Sequence, residues 1–259
     1  KILLSNDDGI LAPGLAALHA AVADMGDVAV VAPDSPQSAA GHAITLTHPL
    51  TVRRVAVAGP GGFAGMSVDG RPADCVRLAI RSLLDGRPDV VLAGINAGSN
   101  VGINVFYSGT VAAAAEAAMF GIPAVAFSAD MSGEVDFAAI ARQCRMVLDR
   151  LLARGLAPGE LVNVNIPPLT GGLAKGVRVV RQSTAGLEDT YHRNVDVDGL
   201  ESFRIGDEYA FAPTEDDTDV ITFSQGYITV TPLHIDRTDH AQLESLRQCQ
   251  WPAEETRHE

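Results

Sequence analysis

The stretch from Ile2 to Asp34 constrains the fold more than any other part of the chain. Ile2, Leu3 and Leu4 form an unbroken apolar run, too short for a helix and suited to a strand buried on both faces. Asn6-Asp7-Asp8-Gly9 then turns the chain. Pro13-Gly14 opens a segment with Leu15, Leu18 and Val22 at helical spacing, and Val28 to Val31 is a second apolar run that stops at Ala32-Pro33-Asp34. Strand, helix and strand in that order make a βαβ unit, the building block of a mostly parallel α/β sheet.

The pattern continues through the first two thirds. Residues 43 to 58 carry Ile44, Leu46, Leu50, Val52, Val55 and Val57 and read as extended pieces. Ala73 to Leu84 reads as a helix, and Val90-Val91-Leu92 as a core strand ending at Gly94-Ile95-Asn96. Thr110 to Phe120 is an Ala-rich helix, Pro123 to Phe127 a strand, and Phe137 to Ala153 a long amphipathic helix. Beyond Leu161 the texture changes. Val162 to Ile166 and Val177 to Val180 read as strands, but residues 183 to 218 are polar and interrupted by glycine. Val220 to Phe223 and Tyr227 to Thr231 read as a strand pair joined by Ser224-Gln225-Gly226, and a terminal helix runs from about Thr238 to Gln250.

With 47% hydrophobic residues in 259, the chain is long enough and apolar enough to bury a large core, which excludes disorder. Its formal charge is −13, without the basic footprint that nucleic-acid polymers and membrane surfaces need. Eleven carboxylates against two arginines between Glu188 and Asp219 account for −9 of it, so the acidity lies mostly outside the first half. Cys75, Cys144 and Cys249 are widely spaced and form no CxxC pair, as expected of buried or free thiols in a reducing compartment. No apolar run reaches the roughly 18 residues of a membrane span. Lys1-Ile2-Leu3-Leu4 lacks the layout of a signal peptide, so a cytoplasmic location is expected.

In open α/β sheets, ligands bind beyond the carboxyl ends of the strands. Four polar segments fall there. Asn6-Asp7-Asp8-Gly9 follows the first strand, and Gly9 lets two adjacent carboxylates converge; without nearby Lys or Arg they call for a cation. The same motif alone could be a solvated Asx turn. The loop from Asp34 to His42 offers Ser38 and His42, although most loop serines only form turns. Gly94-Ile95-Asn96-Ala97-Gly98-Ser99-Asn100-Val101-Gly102 is a glycine-rich connection that lets backbone approach an anion, or merely turns tightly. Tyr107-Ser108-Gly109-Thr110 leads into the Ala-rich helix, whose N-terminus either binds a phosphate or is simply capped. Together, carboxylates with Asn and Ser oxygens make a hard oxygen-only site for Mg²⁺ or Mn²⁺. A cation and a helix N-terminus side by side suit a phosphate monoester attacked by an activated water.

These residues resemble the SurE nucleotidase family of stationary-phase survival proteins. The match runs through Ile2-Leu-Leu-Ser-Asn-Asp-Asp-Gly-Ile10, Val31-Ala-Pro-Asp34, Gln37-Ser38, Ile44-Thr-Leu46, Val68-Asp-Gly70 and Pro72-Ala-Asp-Cys-Val76. It continues with Gly94-Ile-Asn96, Gly98, Asn100 and Tyr107-Ser-Gly-Thr-Val111, then Asn165-Ile-Pro167, Thr218-Asp-Val220, Gly226-Tyr227, Thr231-Pro-Leu233, Asp236 and Thr238.

The resemblance implies a Rossmann-like core over 1–182, a variable acidic β-hairpin arm over 183–218, and a strand pair returning to the core with an oligomerisation helix over 219–259. It implies a divalent metal on Asp7, Asp8, Ser38 and Asn96, a phosphate pocket lined by Asn6, Asn100, Ser108, Gly109 and Thr110, and catalysis by Asp7 and Asp8. The expected reaction releases phosphate from a nucleoside 5′- or 3′-monophosphate. The expected partners are that small phosphorylated substrate and a second copy of the chain, as dimer or tetramer; Leu243 and Leu246, with Trp251 just beyond, offer an apolar stripe that fits docking or equally packs on the chain's own core.

Ser35-Pro36, Ala39, Arg71 and Ala112 depart from the family pattern without removing a ligand, and Tyr191 to Tyr209 lacks its aromatic-rich stretch. Those departures favour, as the alternative, the same chemistry on a sugar phosphate or biosynthetic intermediate. From another class, a nucleotide-binding module without turnover would keep the same site. A dinucleotide dehydrogenase is disfavoured, because carboxylates stand where a pyrophosphate needs glycine amides.

Overall fold

The computed structural model describes residues 1–59, 62–132, 135–169, 173–206, 210–249 and 251. Its elements in chain order are β1 (Ile2–Ser5), α1 (Pro13–Val22), β2 (Val28–Pro33), β3 (Val52–Val57), β4 (Phe63–Val68), α2 (Pro72–Leu78), β5 (Val90–Ala97) and α3 (Gly109–Met119). They continue as β6 (Ala124–Ala129), α4 (Phe137–Arg154), β7 (Leu161–Ile166), β8 (Val177–Val179), β9 (Leu187–Glu188), β10 (Tyr191–Val195) and β11 (Glu201–Ile205). The last are β12 (Ala210–Phe211), α5 (Asp219–Ser224), β13 (Ile228–Leu233) and α6 (His240–Arg247).

Among the described residues, nine strands join in one sheet in the order β3-β4-β2-β1-β5-β6-β7-β13-β8. From β4 to β7 every pairing is parallel; β3 runs antiparallel to β4, and β13 antiparallel to β7. Alternation along β1 explains its apolar run. Ile2 and Leu4 pack on one face with Leu15 and Leu18 of α1 and Val147 and Leu148 of α4. Leu3 points the other way, into a cluster with Val76 of α2 and Val111 and Ala113 of α3. Two helices on each face remove the sheet from water, and each large side chain buried this way contributes about 1.5–3 kcal/mol.

From β1 the chain moves to β2 on one side, and it later returns to β5 on the other. That reversal opens a crevice between the carboxyl ends of β1 and β5, where open α/β sheets bind ligands.

Several elements differ from the sequence expectation. Val220 to Phe223 is not the first half of a strand pair but the body of α5, and β13 alone returns to the sheet. The reason is Asp219: buried at the first turn, its carboxylate accepts the N–H groups of Val220, Gly102 and Ser183 and anchors a helix start. Of residues 43 to 58 only Val52–Val57 forms a strand. Ahead of it, Asp74 holds Thr45 by its N–H at 2.9 Å and its hydroxyl at 2.7 Å. Phe63–Val68, with Gly65 and Met66 inside it, lacks a strong strand pattern yet pairs with both β2 and β3. A Cβ at Gly65 would lie 3.0 Å from the Val30 carbonyl oxygen, so the small residue serves the close approach. The helix read to Leu84 is α-helical to Leu78 and then widens into a π turn over Ala79–Leu83.

β10 and β11 form an antiparallel hairpin with Tyr191 opposite Ile205, and all its strand residues are exposed. α6 starts at His240 behind an Asp239 cap and buries none of its residues. Tyr209 and Gln250, expected in the arm and the terminal helix, lie outside the described residues. Cys75 and Cys144 are buried free thiols, Cys249 an exposed one. Among the described residues no helix is long and apolar enough to cross a membrane.

α1 approaches the sheet so closely that a Cβ on Gly14 would sit 2.1 Å from the backbone oxygen of Ile95. Gly14→Ala therefore forces helix and strand apart, at a cost of about 1–3 kcal/mol or more. A urea unfolding midpoint equal to wild type would contradict this packing.

Candidate functional site

β1 ends at Ser5, and the next residues turn away from the strand. Asn6 is buried and gives its amide to the Gly9 carbonyl at 2.9 Å, which closes the turn. Gly9 sits at φ +93°, a conformation that an L side chain resists. Asp7 and Asp8 follow from this turn. Asp7 is 5% exposed, and its carboxylate accepts the hydroxyl of Thr110, while Asp8 accepts the N–H of Ala97 at the end of β5. Among the described residues neither carboxylate forms an ion pair. Burial pushes Asp7 up to about 6; the Thr110 hydrogen bond opposes this, and the charge of Asp8 adds to it.

Next along the edge, β5 delivers Asn96. Its amide nitrogen donates to the Gly98 carbonyl at 2.6 Å, which fixes the side chain and leaves Oδ1 as its free coordinating atom. Asn100 is held at several points. Its N–H donates to Asn165, its own amide donates to Ser128, and its carbonyl accepts from Asn163 and Asn165.

α3 begins beside Asp7. Ser108 caps it by accepting the N–H of Val111 at 3.1 Å, so the preceding N–H groups of Gly109 and Thr110 stay without intrahelical acceptors. A Cβ on Gly109 would come within 2.7 Å of the Asp7 Cβ and 2.9 Å of its Oδ2. Only glycine permits this contact between the helix start and the first carboxylate.

Ser38 lies exposed on an irregular loop that is pinned from several sides. The Gln37 N–H donates to the Asp7 carbonyl at 2.7 Å, and the Gly41 N–H to the Tyr107 carbonyl at 2.9 Å. His42 meets Glu116 of α3 at 2.8 Å, and this buried carboxylate also pairs with Arg77 at 2.8 Å.

One open cleft is thus lined by Asp7, Asp8, Ser38, Asn96, Asn100 and Ser108. Of the other candidates, Asn6 shapes the turn beneath it, Gly109 abuts Asp7, and Thr110 is fully buried with its hydroxyl on Asp7. Ser99, Asn104 and Tyr107 also line the cleft and were not among the expected site residues; Ser99 and Tyr107 sit in the polar segments read from the sequence, whereas Asn104 falls between them. The support from Asn163 and Asn165 does have a signal: two amides alternate with Val162 and Val164 in a central strand that should be apolar on both faces. No group of three or more His, Cys, Asp or Glu side chains among the described residues is placed to hold a metal. A cation in this cleft would need its hydroxyl and amide oxygens as well as the two carboxylates.

Known proteins resemble this chain along most of its length. The family model described as survival protein SurE matches residues 2–189. The 5′-nucleotidase SurE 1 of Thermus thermophilus is 46% identical over 247 residues, covering 95% of this chain and 96% of that protein. The 5′-nucleotidase SurE of Syntrophobacter fumaroxidans is 41% identical over 246 residues, covering 95% and 98%. The crystal structure of the SurE protein from Aquifex aeolicus superposes with a TM-score of 0.80 at 38% identity, covering 95% of this chain and 98% of that one. With the family match spanning most of the chain and the same fold in a solved relative, this protein belongs to the SurE family.

Proposed function

We propose that this chain is a metal-dependent phosphomonoesterase that releases inorganic phosphate from nucleoside monophosphates. The observation that carries the reading is the pair Asp7 and Asp8, without a counter-cation among the described residues, facing the N-terminus of α3 across one cleft. The relatives named 5′-nucleotidase SurE supply the substrate class.

The donor set fits a hard divalent ion. Asp7, Asp8, Ser38 and the Asn96 oxygen would hold Mg²⁺ or Mn²⁺. Such an ion, when bound, polarises the phosphoryl group and makes water a better nucleophile.

The rest falls to the chain itself. The positive end of α3, with the Gly109 N–H, binds phosphoryl oxygens together with Asn100 and Ser108. Asp8, held by the Ala97 N–H, orients the attacking water. The Thr110 hydroxyl favours the ionised form of Asp7 against its burial and holds the carboxylate in place.

Phosphate release from a nucleotide panel with Mn²⁺ tests this directly. Chelation abolishes it, and Asp8→Asn lowers kcat by about 10²–10⁴-fold; equal turnover with and without metal would sink the reading.

Proton and cation compete for Asp7. Its folded pKa lies above the ordinary carboxylate range, so the metal-free fold holds more protons than the unfolded chain up to about pH 6, and Asp7's contribution to stability is lost as pH rises through that value. Mn²⁺ affinity by calorimetry follows the opposite course: it weakens as pH falls through about 6. A pH-independent affinity between 5 and 7 would remove Asp7 from the ligand set.

Gly109→Ala displaces Asp7 by the clash described above. It costs about 10²-fold in kcat/KM while circular dichroism stays native; wild-type activity in that variant would contradict the contact.

A further inference from the structure

Along α3 the single charged side chain is Glu116, set among alanines and 1% exposed. Taking a carboxylate out of water is costly, and alanine, which fills the neighbouring positions, is the better helix former. What Glu116 binds must offset that cost. Arg77 of α2 balances its charge from 2.8 Å, but out of line for a hydrogen bond to Oε1. The aligned hydrogen bond is with His42, whose Nε2 stands 2.8 Å from Oε2. An ionised carboxylate only accepts, so His42 is the donor.

His42 closes the loop that carries Ser38. Directly after Ser38, Ala39 lies in the left-handed region at φ +55°, as does Gly41. A side chain resists that backbone at Ala39, and a residue held there persists only where its surroundings fix it. Before Ser38 the loop is fixed by the Gln37 N–H on the Asp7 carbonyl and by the Arg71 guanidinium, 2.6 Å from the Gln37 side-chain oxygen. Beyond Ser38 it is fixed by the Gly41 N–H on the Tyr107 carbonyl and, one residue on, by the bond from His42 to Glu116. The helix whose first turn abuts Asp7 therefore also clamps the far side of the Ser38 loop, about two turns further along.

We propose that Glu116 is a positioning residue for the metal site: through His42 it holds the loop in the conformation that presents Ser38 to the cleft beside Asp7. This rests on the ligand set given above, and the test separates the two.

Mn²⁺ affinity is measured by calorimetry, without substrate, in wild type, Glu116→Ala, Glu116→Gln and His42→Ala, each also in the Ser38→Ala background. Losing a group that orients a metal ligand costs about 10–100-fold in affinity. Glu116→Ala and His42→Ala therefore weaken Mn²⁺ by about tenfold or more. Glu116→Gln, whose side-chain oxygen still accepts from His42, restores most of the affinity. With Ser38 already removed, Glu116→Ala changes affinity by less than about twofold, because both act through one ligand. Wild-type affinity in Glu116→Ala, or its full loss repeated in the Ser38→Ala background, overturns the proposal. An equal loss in Glu116→Gln assigns the residue to charge balance with Arg77 and overturns it too. His42 is half-buried, so His42→Ala carries the comparison should Glu116→Ala not fold.

If wild type takes up no Mn²⁺, the metal-dependent reading fails alone. Hydrogen-exchange mass spectrometry over residues 35–44 of the metal-free proteins then decides the positioning role. Faster exchange in Glu116→Ala and His42→Ala, with Glu116→Gln like wild type, supports it, and unchanged exchange overturns it.

Discussion

A carboxylate buried at the end of the central strand is the constraint on which the rest of the site depends. Asp7 leaves water because β1 is covered on both faces, and its raised pKa corresponds to about 3 kcal/mol held against ionisation. What surrounds it reduces that cost and fixes its position. Thr110 donates to its carboxylate, the Gln37 N–H binds its carbonyl, and Gly109 has no side chain to push it aside. Three segments far apart in sequence thus meet on one residue: the end of β1, the loop with Ser38, and the start of α3. Moving Asp7 would move all of them.

Behind the cleft is a second layer of buried polar groups, and it explains why the Gly98–Gly102 connection can stay fixed without regular structure. Asn163 and Asn165 of β7 and Ser128 of β6 hold Asn100, and Asp219 and Gln182 take the two backbone groups of Gly102. Such networks are costly where incomplete. Among the described residues the Oδ1 of Asn163 and the hydroxyls of Thr229 and Thr231 find no protein partner, and a buried hydrogen bond left unmade costs about 1–3 kcal/mol. Where complete, they lock a single arrangement that apolar packing alone leaves less defined. Asp219 also reaches Ser183, so the root of the acidic segment and the glycine-rich connection share one anchor.

Local pattern was enough to read the parallel core, because Ile2 to Leu4, Val28 to Val31 and Val90 to Leu92 can be buried only as strands between helices. The polar residues just after β1 and β5, and just before α3, were legible for the same reason: strand ends and helix starts have fixed geometry. Elements set by distant partners were not. β4 depends on β2 and β3, and α5 on a carboxylate that joins Gly102 to Ser183; neither partner is visible in the local sequence. Thr110 shows the same limit within the site. Its place at the helix start was readable, but its bond to a carboxylate 103 residues earlier belongs to the tertiary fold.

Net charge misleads here, and pairing corrects it. A chain at −13 looks hostile to a phosphorylated substrate, yet many of its carboxylates already have partners. Glu215 and Asp217 pair with Arg181, Glu201 with Arg193, and Glu116 with Arg77 and His42. Asp74 and Asp219 are saturated by N–H and hydroxyl donors. Asp7 and Asp8 differ in kind: adjacent and one of them buried, they are met by hydroxyl and N–H donors and, among the described residues, by no cationic side chain. Two like charges so placed disfavour each other unless a proton or a cation intervenes. The unmet demand for positive charge, more than the count of acids, marks this cleft as the place where a phosphate would be drawn in.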